Sequence, residues 1–172
     1  SPPALPEKWA KLNYNHSSWP RYAGGKRGVG YERNPGDLVN FTDLIDINVE
    51  SGMYGINQTC YIRIPFTVSV LDLSRLTLKV RYDDGFVAYI NGSPVATRNF
   101  NGTAVWNSGA NASHDDSLAR VLESIDISEH IDKLKMGQNI LAIQGLNFGA
   151  GSTDFLISAE LTATEMGQGD VS

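Results

Sequence analysis

The sequence predicts an all-β, antiparallel jelly-roll β-sandwich of galactose-binding-like type, with about eight strands in two sheets. Three observations carry this expectation. Apolar residues recur at every second position in several short runs, turn residues punctuate those runs, and no long segment has helical period. Composition agrees. The chain has 172 residues, 41% of them apolar and 19% charged, with 17 glycines. That is enough for one domain with a full core and many tight turns.

Residues 1–8 contain three prolines and no periodicity, and read as linker. From Trp9 to Tyr31 the chain is aromatic and Gly-rich, with turn signals at Ser17-Ser18-Trp19-Pro20 and Gly24-Gly25. One or two short strands are expected there, and another near Leu44–Val49. Ile62, Ile64, Phe66 and Val68 then alternate with Tyr61, Arg63, Pro65 and Thr67. Leu76, Leu78, Val80 and Tyr82 alternate with Thr77, Lys79 and Arg81. Asp83-Asp84-Gly85 reads as a tight turn before Phe86–Ile90. Asn91-Gly92 reads as a hairpin turn into Pro94–Phe100, because both central residues must take positive φ. A long polar loop, Asn101 to Ser117, precedes strand character at 119–127. Ser128–Leu134 suggests one helical turn with Ser128 as N-cap. Ile140–Leu146 and Phe155–Leu161 complete the strands. The sandwich is expected over 9–163, with a frayed tail at 164–172.

The net charge of −5 argues against a nucleic-acid or membrane-surface partner, and no apolar stretch reaches transmembrane length. Cys60 is the single cysteine, so no intrachain disulfide forms; within Cys60-Tyr61-Ile62-Arg63-Ile64 it reads as a small buried hydrophobe. The start, Ser1-Pro2-Pro3, looks like a linker from a longer protein.

The half from Leu76 to Leu161 resembles the galactose-binding-like jelly rolls, including the N-terminal sugar-binding domains of family 2 glycoside hydrolases. The hairpin Asp83-Asp84-Gly85-Phe86-Val87-Ala88-Tyr89-Ile90-Asn91-Gly92-Ser93-Pro94-Val95-Ala96 carries that resemblance. So do Ile125-Asp126-Ile127-Ser128 and Leu134-x-x-Gly137-x-Asn139-Ile140-Leu141-Ala142-Ile143. Trp106-Asn107-Ser108, Ser113-His114, Gln144–Asn147 and Asp154–Ser158 resemble accessory modules of secreted bacterial proteins. Ser18-Trp19-Pro20, Gly28-Val29-Gly30-Tyr31 and Tyr61-Ile62-Arg63-x-Pro65-Phe66 fit the same pattern. The resemblance implies a non-catalytic carbohydrate-binding module in a secreted or cell-surface bacterial protein. Its partners would be a polysaccharide or oligosaccharide and other domains of the parent chain. Jelly rolls also serve as protein-interaction or spacing units, which is the alternative.

The residues weigh against catalysis. Glycoside hydrolysis needs two carboxylates opposed across a cleft, and the acidic residues here sit mostly in predicted turns. His16, His114 and His130 are too scattered for a His-based metal motif, and no Gly-x-Ser-x-Gly elbow occurs. Calcium is the one cofactor expectation: Asp83 and Asp84, and Asp115 and Asp116, offer paired hard oxygens. Sugar recognition needs an aromatic face and planar polar groups. The loop with Trp106, Asn107 and His114 supplies both. A second candidate is a sheet face on which Tyr61, Arg63, Lys79, Arg81 and Gln144 point outward, with Asn147 near a strand end.

Overall fold

The computed structural model describes residues 6–22 and 28–167. The Gly24-Gly25 turn signal, the first five linker residues and the last five tail residues lie outside them. Among the described residues no helix is long and apolar enough to cross a membrane.

Among the described residues, nine strands form two sheets. The five-stranded sheet has the order β2-β1-β9-β4-β7 and the four-stranded sheet β3-β8-β5-β6. The strands are β1 (Val29–Glu32), β2 (Ile47–Asn48), β3 (Thr59–Val68), β4 (Leu73–Asp83), β5 (Gly85–Ile90), β6 (Ser93–Arg98), β7 (Glu123–Asp126), β8 (Gly137–Leu146) and β9 (Asp154–Glu165). This is the β-sandwich the alternation predicts. All pairs are antiparallel except β1 with β2, which run parallel.

The expected inward residues do face one another. Ile62, Leu76, Leu78, Val80, Leu141 and Ile143 belong to one buried cluster, with Ile64 and Phe66 packed against it. Burial at roughly 25 cal/mol per Å² of apolar surface makes this gap the main stabilising element. Gly145 lets the sheets approach: a Cβ there would lie 2.6 Å from both Ile157 and Phe155 of β9. The Asn91-Gly92 turn joins β5 to β6 with φ of 51° and 92°, as the hairpin geometry requires.

Other expectations are corrected. Asp83-Asp84-Gly85 joins two strands tightly, but not as an exposed turn. β4 and β5 lie in different sheets, so these residues carry the chain across the end of the sandwich. Both aspartates are buried, and the bond between them is cis. Ser128 does not cap the 3-10 turn Ser128–Lys133, whose N-cap is Ile127; its hydroxyl instead accepts the Leu76 N–H at 3.0 Å. β9 runs on to Glu165 because it pairs with β4 as far as Leu73. Where the stretch read as linker ends, Pro6–Trp9 make one helical turn, and Trp9 is completely buried.

The largest difference concerns the outer face of the four-stranded sheet. It is covered rather than open. Trp9, Ala10, Val87, Tyr89, Ala104, Ala110, Ile140, Ala142 and Leu146 form a second buried cluster there. β5 is consequently buried on both faces along its whole length. The apolar run Phe86-Val87-Ala88-Tyr89-Ile90 does not alternate, and that is the signature of two-sided burial.

Candidate functional site

The residues singled out from the sequence separate into two places. Tyr61, Arg63 and Gln144 lie on the covered face. Tyr61 and Gln144 are register partners in β3 and β8, and both hold down the loop that carries Trp106. The Tyr61 hydroxyl donates to the Trp106 carbonyl at 2.6 Å, and Gln144 Nε2 donates to the Val105 carbonyl at 2.8 Å. Gln58 Nε2 reaches the Asn107 carbonyl at 3.4 Å. These contacts go to the loop backbone, so they anchor it and leave the Trp106 ring 48% exposed.

Arg63 is pinned under the N-terminal segment. Its Nη1 donates to the Trp9 and Lys11 carbonyls, the latter at 2.9 Å, and its Nε lies 3.2 Å from His16 Nδ1. Burial lowers its pKa. Lys79 and Arg81 belong to β4 in the opposite sheet, so the single basic platform expected from alternation does not form. Gln144 and Asn147 are fully buried. Asn147 Nδ2 donates to the Tyr31 hydroxyl at 3.1 Å and to the Asp154 carbonyl at 3.0 Å, a structural arrangement.

The second place is a cleft of about 1060 Å³ at one end of the sandwich, lined by Val39, the β4–β5 crossover, residues 113–117 and the loop between β8 and β9. It brings together Asp83, Asp84, His114, Asp115 and Asp116, and adds Phe148, Ser152 and Asp154, which the sequence reading did not select as site residues.

Asp84 builds the cleft. Its Oδ1 accepts the His114 N–H at 2.9 Å and its Oδ2 accepts the Phe148 N–H at 2.8 Å. One buried carboxylate therefore ties two loops together. Its own backbone is fixed as well, since its N–H donates to the Leu146 carbonyl and its carbonyl accepts from Asn99 Nδ2, both at 2.9 Å. His114 packs flat on Tyr82, with ring centroids 4.2 Å apart and planes 6° from parallel. Its Nδ1 lies 2.7 Å from the Tyr82 carbonyl. Asp115 caps the helical turn Asp116–Ala119 by accepting from Ser117, and that bonding lowers its pKa.

The remaining carboxyls repel one another. Burial, then the charges of Asp84 and Asp154, push Asp83 up to about 10. Asp154 is pushed up to about 6, mainly by burial and next by Asp116. Asp116 is also raised, by burial and then by Asp115. Ser152 Oγ donates to Asp154 Oδ1 at 3.2 Å. Above this acidic wall stands Phe148, 58% exposed. A lone aromatic inside Asn147-Phe148-Gly149-Ala150-Gly151-Ser152 was the available signal: it has no periodic partner in a strand, so the fold gives it no core position.

No family model matches the chain, and no curated protein does. Among solved structures it is similar to the α-L-rhamnosidase of Streptomyces avermitilis complexed with L-rhamnose. The TM-score is 0.43 at 19% identity, over 63% of this chain and 9% of that one. It is also similar to native α-L-rhamnosidase from Aspergillus terreus, with TM-score 0.39 and 16% identity over 63% of this chain and 13% of that one. A family 2 glycosyl hydrolase member from Bacteroides cellulosilyticus gives TM-score 0.43 and 13% identity, over 87% and 18% of the two chains. The present chain thus spans only a small part of each of these proteins.

Proposed function

We propose that this chain is a non-catalytic carbohydrate-binding domain whose ligand lies in the sandwich-end cleft with one face on Phe148. The observation that carries this reading is the exposed Phe148 ring beside Asp116 and Asp154, on a backbone clamped by Asp84. The apolar face of a pyranose needs a ring to stack on, and its hydroxyls need acceptors at the rim. The cleft supplies both. In a secreted or cell-surface protein such a domain tethers its parent chain to a polysaccharide. Affinity is expected in the micromolar to millimolar range, since a single stacking ring contributes only a few kcal/mol net.

Affinity electrophoresis against a panel of soluble polysaccharides tests the reading. Retardation by at least one polymer, lost in Phe148→Ala, is the expected result. Indifference to the whole panel would leave a spacer or protein-interaction domain instead.

The lining of one cleft by both Asp116 and Asp154 favours a second reading, hydrolysis in the same cleft. Asp154 is raised to about 6 beside a second raised carboxyl, Asp116, and a raised acid is what glycosidic bond protonation requires. Release of reducing ends from the same panel would establish it; binding without release is expected.

A further inference from the structure

Asn-Gly occurs twice in the chain, at Asn91-Gly92 and Asn101-Gly102. Such a pair is chemically labile, because a following residue without Cβ lets its backbone nitrogen approach the asparagine side-chain carbon. Whether that approach happens depends on how freely the amide and the peptide link can turn. The fold treats the two pairs in opposite ways.

Asn91 is locked at both ends of its amide. Its Nδ2 donates to the Lys133 carbonyl at 2.9 Å and to Asn139 Oδ1 at 2.8 Å, and its Oδ1 accepts the Ile140 N–H at 2.9 Å. Its backbone N–H donates to the Ile140 carbonyl at 3.0 Å. Turning this amide towards Gly92 breaks all three side-chain bonds. Asn101 has no such restraint. Asn101 and Gly102 are both exposed, and among the described residues no hydrogen bond holds Asn101, Gly102 or Thr103. A Cβ on Gly102 would meet nothing within 4 Å, and its φ is 94°. The chain is pinned on either side of this span. The Asn99 carbonyl accepts the Asn111 N–H at 2.9 Å, and the Val105 carbonyl accepts from Gln144.

We infer that Asn101 is a site of spontaneous deamidation, with water as the only co-reactant, and that Asn91 is protected by the fold. The Gly102 nitrogen loses its proton and attacks Asn101 Cγ. The new N–Cγ bond closes a succinimide ring as the Cγ–Nδ2 bond breaks, and Nδ2 leaves as ammonia with that proton. Water then adds to one of the two ring carbonyls. Opening at Cγ gives aspartate; opening at the main-chain carbonyl gives isoaspartate, in which the backbone runs through the side chain. Either product carries a carboxylate, ionised at neutral pH, in the loop that bears Trp106.

The test holds the folded protein in warm, mildly alkaline buffer and follows it by anion exchange and peptide mass spectrometry. A more acidic species is expected, with the amide-to-acid mass change confined to the peptide that contains Asn101. Asn91 should convert at least about tenfold more slowly, since three hydrogen bonds must open first, even at the weak end of their strength. In urea the two sites should convert at similar rates. Asn101→Gln should lose the acidic species, because its longer side chain does not close the same ring. A native-state rate ratio below about tenfold overturns the contrast. So does a folded protein whose Asn101 stays intact over the time in which its urea-unfolded form converts completely. No carbohydrate enters the measurement, so its outcome is independent of whether Phe148 binds a glycan.

Discussion

The carboxylate of Asp84 accepts the backbone N–H of Phe148 at 2.8 Å, and so a residue at the β4–β5 crossover sets the position of an exposed ring on a different loop. The same carboxylate holds His114 through its other oxygen. Replacing Asp84 with Ala leaves two N–H groups without their charged acceptor. Hydrogen bonds to charged groups contribute about 1.5–3 kcal/mol each, so a loss of roughly 3 kcal/mol is expected in urea unfolding. A loss below about 1 kcal/mol would show that the loops hold their shape without the clamp.

Phe148→Ala should behave in the opposite way. The ring is more than half exposed, and exposed substitutions of this kind usually change stability by about 0.5 kcal/mol or less. Polysaccharide retardation should vanish while the melting temperature stays put. A large fall in melting temperature would make Phe148 a packing residue instead.

Trp106→Ala separates the two candidate places. Its loop is anchored through backbone carbonyls by Tyr61 and Gln144, and those bonds survive loss of the ring. The cleft reading therefore expects near-normal stability and unchanged polysaccharide retardation. Abolished retardation in a well-folded variant would move the sugar site to the Trp106 loop.

Stability should fall as pH rises. Asp83 is pushed up to about 10, by burial first and then by Asp84 and Asp154, whereas in the unfolded chain an Asp titrates near ~4. Between those values the folded state keeps a proton that the unfolded state has released, so the unfolded state gains with every added pH unit. Asp154, raised to about 6, adds to the slope at the acidic end of that window. The melting temperature is expected to be several degrees lower at about pH 8 than at about pH 5, with a flatter profile in Asp83→Asn. Identical pH profiles for wild type and variant would contradict the assignment to Asp83.

Arg63→Ala should release the N-terminal segment. The guanidinium holds the Trp9 and Lys11 carbonyls, and no other side chain reaches both among the described hydrogen bonds. Faster proteolysis ahead of Tyr14, with destabilisation of about 2 kcal/mol or more, is the expected outcome. Wild-type protease resistance would mean that Trp9 burial alone retains the segment.

The sequence by itself determined the sandwich. Ile62, Ile64 and Phe66 against Leu76, Leu78 and Val80 alternate at the strand period, and a strand with one buried face has no freedom to slip by one residue. Asn91-Gly92 likewise determined its hairpin, because its constraint is local backbone geometry. Tertiary structure alone decided which polar residues meet. Alternation says that Tyr61, Arg63 and Gln144 face away from the core between the sheets, but not that Trp9 and Ala104 cover them. Asp83, Asp116 and Asp154 are separated by tens of residues in the chain, and only the pairing of β4 with β9 and the packing of the Asp116–Ala119 turn on β4 bring them to one wall. A periodic pattern encodes the face a side chain takes; the neighbour it finds there depends on contacts between distant segments, which no local pattern records.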